Sequence, residues 1–363
     1  MKHYELIIVG GGPAGMCAAK NAAEAGCHVL IIERSYQLGG QLVKQTHKFF
    51  GSEKTYAKTR GYDIAKKLID DVHRFASFID VITDATVVGL YEGHVLTVYH
   101  HQEYQKFQAD AIVIATGASE KFLAFENNDL PGIYGAGAVQ TLMNLYGVLP
   151  GSSMVMVGSG NIGLIVSYQL IQAGVNVKAL VEAAPKIGGY LVHASKLRRL
   201  GVPILTSTTI QRAIGQDKVE AIEIVKLNEK WEPIKGTKSL IETDTVCISV
   251  GLSPLHALLS MVGVDMRYIN ELGGSVPKID INHETSVRNL FVAGDVIGIE
   301  EASSAIVEGY LVGLIAAHRL GHIHPNYDSL ILEYHSQLTN LRSGPFGNKT
   351  RIGLDKLRGV DHA

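Results

Sequence analysis

Short apolar runs alternate with helical patterns along this chain. Residues 6–9 and 28–32 are nearly continuous runs of branched apolar side chains, which is typical of strands buried on both faces. Between these runs, small residues recur at helical spacing: Ala14, Ala18, Ala19, Ala22 and Ala23. The pattern predicts a strand, a helix that packs closely on a sheet, and a second strand.

The same order of elements returns in mid-chain, where apolar residues 153–157 and 175–181 flank a helical stretch that ends near Ala173. Other apolar runs predict strands at 85–90, 95–99, 111–115, 246–250 and 289–293, and helices at 62–78 and 300–320. Strands that alternate with helices indicate an α/β fold with parallel sheets.

A glycine turn joins the first strand to the first helix. Gly10, Gly12 and Gly15 have the spacing G-x-G-x-x-G, and Pro13 suits the first turn of a helix. We expect Gly10 to make the turn, Gly12 to let a pyrophosphate approach the backbone, and Gly15 to let helix and strand meet. The N–H groups at the start of the helix would then face the phosphates.

Glu33 stands at the end of the second strand, where a carboxylate can accept hydrogen bonds from ribose hydroxyls. A glycine turn alone is a weak signal, since many such turns bind nothing. The two flanking strands and the acid at this distance together indicate a dinucleotide-binding unit.

The unit is duplicated. Gly158, Gly160 and Gly163 repeat the glycine spacing, and Glu182 follows Gly158 by 24 residues, as Glu33 follows Gly10 by 23. A Gly-Gly pair follows each acid, at 39–40 and at 188–189. Two units built alike in one chain predict two nucleotide sites.

Composition narrows the class of protein. The chain has 363 residues, enough for two domains, with 19% charged and 46% apolar residues. Its formal net charge of −2 offers no electrostatic case for binding nucleic acid or an anionic membrane. No run approaches the length of a transmembrane helix, and the N-terminus does not have the pattern of a signal peptide. We expect a cytoplasmic protein.

The candidate reactive side chains are few. Cys17, Cys27 and Cys247 are widely separated, which fits three core cysteines in a reducing compartment. We predict no metal site, because the histidines of residues 94–101 have no cysteine and few carboxylates nearby. His47 and Lys48 are weak catalytic candidates that could face a cofactor or an electron acceptor, or simply lie in solvent.

At this point the chain resembles the pyridine nucleotide-disulfide oxidoreductase superfamily, in its thioredoxin reductase-like branch. The matching residues are 10–15, Glu33, 39–41, 115–117, 158–163 and 293–295. The resemblance implies two Rossmann-like domains, the second inserted in the first. It places an FAD-binding domain at 1–118 and 285–325, and an NAD(P)-binding domain at 119–284. For the tail, 326–363, a solvated cap is favoured slightly over a docking segment.

The resemblance also implies the binding residues. For FAD they are Gly10, Gly12, Pro13, Ala14, Gly15, Glu33, Arg34, Gly40, Gln41, Thr116, Gly117, Gly294, Asp295 and Ala302. For NAD they are Gly158, Gly160, Asn161, Ile162, Gly163, Glu182 and Gly251. NAD is favoured over NADP, because Glu182 would repel a 2′-phosphate and the nearest cation in sequence is Lys186. A vestigial second site remains the alternative.

One departure from the thioredoxin reductases stands out, because this chain has no C-x-x-C or C-x-x-x-x-C pair. Dithiol chemistry needs two sulfurs close together, so a disulfide reductase is rejected. Residues 149–151, 181–185 and 308–309 look like a narrower group, the FAD-binding subunits of opine oxidase, hydrogen cyanide synthase, dye-linked proline dehydrogenase and sarcosine oxidase. Several of these carry an iron–sulfur centre in the tail, which has no cysteine here.

Three functions follow from these resemblances. The chain could be an NAD(P)H-oxidising FAD reductase that passes electrons to a small molecule or a protein. It could be an electron-transfer subunit of an amine or amino-acid dehydrogenase, beside a second flavoprotein or an iron–sulfur subunit. It could also be a non-catalytic subunit with structural nucleotides. We expect a homo-oligomer or a hetero-complex.

Overall fold

A computed structural model of the chain describes residues 1–49 and 52–359, apart from the side chains of residues 345 and 346. The strands are β1 (Lys2–Val9), β2 (Val29–Ile32), β3 (Ile79–Ile82), β4 (Ala85–Tyr91), β5 (Val95–His100), β6 (Glu103–Ile114), β7 (Ala118–Glu120), β8 (Ile133–Gly135), β9 (Ser153–Val157), β10 (Asn176–Val181), β11 (Ile204–Leu205), β12 (Thr208–Ile214), β13 (Ala221–Lys226), β14 (Ser239–Glu242), β15 (Thr245–Ile248), β16 (Leu252–Pro254), β17 (Met266–Ile269), β18 (Gly274–Pro277) and β19 (Leu290–Val292).

The α-helices are α1 (Pro13–Glu24), α2 (Gly61–Arg74), α3 (Ala136–Tyr146), α4 (Asn161–Gln172), α5 (Leu191–Arg199), α6 (Ala257–Met261), α7 (Ala302–Arg319), α8 (Tyr327–Leu341) and α9 (Gly344–Arg358). Short 3₁₀ helices cover Gly40–Lys44, Glu53–Thr55 and Asn270–Leu272. Within the described ranges, none of these helices combines the length and apolar character needed to cross a bilayer.

The chain forms two compact units. The first unit comprises Met1–Ser119 and Ser253–Ala363, and the second unit comprises Glu120–Leu252. The second unit therefore ends well before residue 284, the boundary expected from sequence. Residues 253–284 belong to the first unit because Leu258, Leu272 and Val276 are buried in its core.

In the first unit, β3, β2, β1, β6 and β19 form the parallel part of one sheet. The long strand β6 then pairs with β5, and β5 with β4, in antiparallel fashion. Both faces of the parallel part are buried. Ile8 and Ile31 pack with α1, α2 and α7, while Ile7 and Leu30 lie in the core of the opposite face. This double burial explains why the strand sequences lack a polar alternation.

The second unit repeats the plan. Its parallel sheet has the order β11-β10-β9-β15-β8, and β12, β13 and β14 form a separate antiparallel sheet. Met154 and Leu180 lie in the core that α4 and α5 cover, and Val155 and Val181 lie in the core shared with β12 and β13. The predicted α/β class with two dinucleotide-binding folds is confirmed.

The C-terminal segment differs from the expectation of a solvated cap. It forms α8 and α9, and α9 begins at Gly344 with a proline in its first turn. Leu338 joins the core beside α1, and Leu354 and Leu357 join the core on the opposite face of the sheet. The segment is thus part of the first unit; residues 360–363 lie outside the described residues.

Helices α1 and α7 cross at backbone distance. A Cβ atom built on Gly309 would lie 2.2 Å from the carbonyl oxygen of Ala14, and one on Gly313 would lie 2.1 Å from that of Ala18. Glycine on α7 and alanine on α1, each spaced four residues apart, therefore let the two helices touch. This contact fixes the start of α7 relative to the start of α1.

Gly309→Ala should therefore lower the stability of the protein. Alanine gains about 1 kcal/mol of helix propensity over glycine, but the clash with a backbone oxygen cannot be relieved by a side-chain rotation. We expect a net loss on the order of 1–2 kcal/mol, measured by denaturant unfolding. Gly188→Ala, where the nearest atom to the new Cβ lies 3.9 Å away, serves as the control. Unchanged stability of the Gly309 variant would contradict the close packing.

Candidate functional site

The first glycine turn is held by steric contacts that only glycine permits. Gly10 has a φ of +109°, and a Cβ atom there would lie 2.4 Å from the carbonyl oxygen of Ala115 on the neighbouring strand end. A Cβ atom on Gly15 would lie 1.9 Å from the carbonyl oxygen of Gly10. The two glycines let β1, α1 and the end of β6 meet.

Gly12 differs from both, because its Cβ position is open. The nearest atom, the Cα of Gly40, lies 4.0 Å away. Gly12 is also the N-cap of α1, Pro13 follows it in the first turn, and no described side chain caps this end. The first N–H groups of α1 thus face a space that a phosphate can enter, which fits the expected binding of a pyrophosphate.

Glu33 stabilises the glycine turn through hydrogen bonds to its backbone. Its carboxylate accepts hydrogen bonds from the N–H groups of Gly11 at 2.6 Å and Ser35 at 2.8 Å, and the residue is only 6% exposed. Arg34 beside it is exposed. The predicted ribose acceptor therefore also fixes the backbone, and its remaining lone pairs are available to a ligand.

The loop at residues 39–41 closes over the same turn. The N–H of Gly39 donates to the carbonyl oxygen of Gly11 at 2.8 Å, and a Cβ atom on Gly40 would lie 2.8 Å from the Cα of Gly12. Gln41 is exposed. The structure thus brings together the residues on either side of the predicted pyrophosphate position.

Two further predicted residues lie at the end of β6. The Thr116 hydroxyl donates to the carbonyl oxygen of Leu255 at 2.7 Å. Gly117 has a φ of +72°, and no described atom lies within 4 Å of its Cβ position. The Thr116 hydrogen bond therefore fixes the end of β6, and the space beside Gly117 is free of described atoms.

Gly294 and Asp295 follow β19 and lie next to α1. The N–H of Gly294 donates to the Glu308 carboxylate at 2.8 Å, and a Cβ atom on Gly294 would lie 3.0 Å from the Cβ of Ala14. Ala302, the first residue of α7, has no side-chain cap before it among the described residues. The starts of α1 and α7 and the Gly-Asp turn are thus linked within the first unit.

A buried charge network supports this turn, and sequence analysis missed it. Arg342, which lies just after α8, donates to both oxygens of Glu300 at 2.8–3.1 Å and makes a very short hydrogen bond to Glu308. Arg342 is 9% exposed and Glu308 is 3% exposed. Because Glu308 in turn binds Gly294, the C-terminal segment positions the Gly-Asp turn. The signal in the sequence was a lone arginine in a basic tail, which is too common to be informative.

The same network perturbs neighbouring carboxyl groups. Burial raises the pKa of Asp295 to about 7, the charges of Glu308 and Glu300 add to this rise, and the N–H of Glu300 opposes it. Burial also raises the pKa of Glu300, against the lowering influence of Arg342. Asp295 remains partly exposed to solvent.

The second glycine turn has the same geometry. Gly158 has a φ of +105°, and a Cβ atom there would lie 2.2 Å from the carbonyl oxygen of Ser249. A Cβ atom on Gly163 would lie 2.3 Å from the carbonyl oxygen of Gly158, whereas the Cβ position of Gly160, the N-cap of α4, is open. The second turn thus also places open N–H groups at a helix start.

Glu182 repeats the role of Glu33. Its carboxylate accepts from the N–H of Ser159 and of Ala184, both at 2.8 Å, and from the Ser159 hydroxyl at very short distance. Ser159 is fully buried, and its oxygen atoms accept from the N–H groups of Gly188 and Gly189. Glu33 and Glu182 therefore each bind the backbone of the glycine turn in their own unit.

The remaining predicted residues of the second site lie around the same turn. The Asn161 side-chain oxygen accepts from the N–H of Tyr190 at 2.8 Å, and Ile162 is 39% exposed at the start of α4. Gly251 has a φ of +116°. Asn161 thus joins the helix start to the loop that follows the acid.

The weak catalytic candidates have different environments. His47 is half-buried and its ring stacks on Phe49, with centroids 5.7 Å apart, whereas Lys48 is exposed. A catalytic role for either residue stays a prediction.

The cysteines have the environment of core residues. Cys17, Cys27 and Cys247 are free and fully buried. Burial raises the pKa of Cys17 and of Cys27 to about 12, and raises that of Cys247 as well. Protonated, buried thiols do not act as nucleophiles at neutral pH.

Comparison with known proteins agrees with this geometry. The sequence profile of the pyridine nucleotide-disulphide oxidoreductase family matches residues 4–309. An opine oxidase subunit of Agrobacterium tumefaciens is 26% identical over 86% of this chain and 65% of its own length. Hydrogen cyanide synthase subunit HcnB of Pseudomonas protegens is 26% identical over 85% of this chain and 69% of its own.

The alpha subunit of sarcosine oxidase from a Corynebacterium species is also 26% identical, over 88% of this chain and only 33% of its own length. The chain thus spans less than two thirds of these opine oxidase and sarcosine oxidase subunits. The resemblance to this group of proteins, expected from short sequence segments, is confirmed.

Among solved structures, thioredoxin reductase of T. acidophilum has a TM-score of 0.71 at 22% identity and covers 88% of this chain and 99% of its own. L-proline dehydrogenase of P. horikoshii has a TM-score of 0.68 at 21% identity and covers 91% of this chain and 59% of its own. At these identities the likeness concerns the fold.

The two glycines of the first turn should respond differently to alanine. Gly12→Ala adds a methyl group where only a ligand would meet it, so the flavin-free protein should keep its thermal midpoint while flavin retention falls at least about tenfold. Gly15→Ala drives a Cβ atom into the Gly10 carbonyl and should lower the midpoint itself. Flavin stoichiometry and thermal denaturation of the flavin-free forms separate the two. A Gly12 variant with the parent's flavin content would contradict the pyrophosphate assignment.

Asp295 should make stability depend on pH. Its pKa rises on folding from 3.8 to about 7, so the native state retains a proton that the unfolded state has lost. Its stabilising contribution is complete below pH 3.8 and falls as the pH rises to about 7. Unfolding of the flavin-free protein in denaturant should show less loss across this window for Asp295→Asn than for the parent. Asp265→Asn, whose side chain is 61% exposed, is the control; an identical slope for parent and Asp295→Asn would refute the assignment.

Proposed function

Since this chain belongs to the pyridine nucleotide-disulphide oxidoreductase family, we propose that it binds FAD in the first unit and NAD(H) in the second, and transfers a hydride between them. The electrons then pass to or from a protein or small-molecule partner without a redox-active disulfide. When bound, the flavin and the nicotinamide supply the hydride chemistry themselves.

One observation carries the proposal, namely that the two units present the same binding geometry. In each, a glycine with open space at its Cβ position caps a helix, and an acid at the end of the next strand accepts a hydrogen bond from the turn between them. Residues 39–40 support the first turn, and residues 188–189 support the second. The N–H groups would bind the pyrophosphates, and Glu33 and Glu182 the ribose hydroxyls.

The first unit is assigned to FAD because it carries the Gly294–Asp295 turn and the start of α7 beside it. In the family, such a turn holds the ribityl and pyrophosphate of FAD. Here Glu308 fixes the backbone of Gly294, and Arg342 fixes Glu308. These residues act on the backbone that would bind the cofactor.

The absence of a reactive thiol pair supports a reaction that ends at the flavin or at a partner. All three cysteines are buried, free and have raised pKa values. A disulfide substrate would therefore find no internal dithiol to exchange with.

A role within an amine or amino-acid dehydrogenase complex is the second candidate function. The observation that favours it is that the matching opine oxidase, sarcosine oxidase and hydrogen cyanide synthase proteins are each named as one subunit of an oxidase or synthase. In this role a second flavoprotein or an iron–sulfur subunit would exchange electrons with the FAD of this chain. A third function, that of a non-catalytic subunit, requires bound nucleotides that never change redox state.

Anaerobic absorbance spectra of the purified chain distinguish these functions. Bleaching of a bound flavin by NADH alone supports the first. Bleaching by an amine or amino acid only in the presence of a co-purified subunit supports the second. A flavin that neither treatment reduces would support the structural role and contradict the proposal.

Glu182 should determine which nicotinamide nucleotide reduces the flavin. NADH should reduce the parent faster than NADPH, because the carboxylate repels a 2′-phosphate. Glu182→Arg should shift the ratio of the two rates toward NADPH by at least about tenfold, or about 1.4 kcal/mol.

Because Glu182 also binds the Ser159 and Ala184 N–H groups, Glu182→Gln is the matched control. It keeps an acceptor oxygen while removing the charge, so a large loss with both nucleotides in this variant would indicate damage to the turn. Reduction of the parent by NADPH at a rate equal to or above that of NADH would refute the NAD assignment. No reduction by either nucleotide would favour a vestigial second site.

A further inference from the structure

Three potential metal ligands that are far apart in the sequence lie together in the first unit. Glu5 is on β1, Cys27 precedes β2, and His322 follows α7. One ligand atom from each lies within 4.8 Å of the other two. The imidazole Nε2 of His322 is already 3.0 Å from a carboxylate oxygen of Glu5.

The cluster is anchored by the fold. The second carboxylate oxygen of Glu5 accepts from the N–H of His28 at 2.7 Å, which fixes the side chain beside the residues that precede β2. Cys27 is fully buried, whereas the side chains of His322 and Glu5 are 25% and 37% exposed. The cluster therefore has a buried sulfur on one side, and an imidazole and a carboxylate that reach solvent on the other.

Its position separates it from the nucleotide sites. Glu5 lies toward the amino end of β1 and Cys27 just before the amino end of β2, whereas Gly10 and Glu33 follow the carboxyl ends of the same strands. A metal here would connect β1, the α1–β2 turn and the end of α7 without touching the glycine turns.

The chemical types of these three ligands indicate which metal would bind. One thiolate, one imidazole and one carboxylate match the ligands of Zn²⁺, which binds sulfur at about 2.3 Å and nitrogen or oxygen at about 2.0–2.2 Å in a tetrahedron. Calcium and magnesium prefer oxygen ligands alone. We propose that Glu5, Cys27 and His322 bind Zn²⁺, with water as the fourth ligand. The sequence-based prediction of no metal site considered only the histidines of residues 94–101, and the spacing of Glu5, Cys27 and His322 in the chain gives no sign of a shared site.

Binding would require loss of the Cys27 proton, because zinc binds the thiolate form of cysteine. Zn²⁺ binding should therefore release a proton, and the affinity should increase with pH.

The test is Zn²⁺ titration of the flavin-containing protein after treatment with a chelator. We expect one tightly bound Zn²⁺ per chain by elemental analysis after gel filtration, with a higher thermal midpoint and proton release. Substitution by Co²⁺ should give the d–d bands of a tetrahedral thiolate site, at wavelengths longer than those at which oxidised flavin absorbs. His322→Ala and Cys27→Ala should each weaken Zn²⁺ binding at least about tenfold.

Cys247→Ala is the matched control, because it removes a buried thiol in the second unit and should bind Zn²⁺ like the parent. If Cys27→Ala fails to fold, His322→Ala and Glu5→Gln, which alter partly exposed side chains, still decide the matter. Failure of the chelator-treated parent to bind stoichiometric Zn²⁺ would overturn the proposal and leave a simple Glu5–His322 hydrogen bond. Equal Zn²⁺ binding by the parent and His322→Ala would overturn it too.

Discussion

The contact between a glycine turn and the neighbouring strand end is the constraint on which both units depend. At Gly10 and Gly158 the backbone turns with positive φ against a carbonyl oxygen, and any side chain would collide with it. The contact places a helix N-terminus at the carboxyl end of a parallel sheet, where unpaired N–H groups meet an opening. Removing the contact would separate strand and helix, and with them the groups that bind phosphate.

The acid at the end of the next strand makes that geometry rigid. Glu33 and Glu182 each accept hydrogen bonds from two backbone N–H groups. One N–H belongs to the glycine turn, and the other belongs to the residue two positions after the acid itself. A carboxylate at this position therefore serves the fold whether or not a ribose is bound. The presence of this acid in both units therefore indicates first that the two units share one architecture. It bears on the choice between NAD and NADP only because its negative charge would repel a 2′-phosphate.

The C-terminal segment that contains α8 and α9 supports the candidate site of the first unit, although it lies far from the glycine turn in the sequence. Arg342 pairs with both Glu300 and Glu308 in a poorly solvated region, and removing one member of such a group typically costs about 3–5 kcal/mol because a buried charge is left without its partner. Through Glu308 this stabilisation reaches the backbone of Gly294. The segment after α7 is thus part of the structure that would hold the flavin.

The class of fold, the duplication and the two glycine turns could be predicted from the sequence, because these features depend on local rules. Continuous apolar runs specify buried strands, and glycine spacing specifies where backbones touch. Tertiary structure decided what local rules do not contain. It assigned residues 253–284 and the tail to the first unit, since burial of Leu272 and Leu354 depends on long-range packing. It also paired Arg342 with Glu308, and Glu5 with His322, because an ion pair or a ligand set forms between neighbours in space that no spacing in the chain reveals.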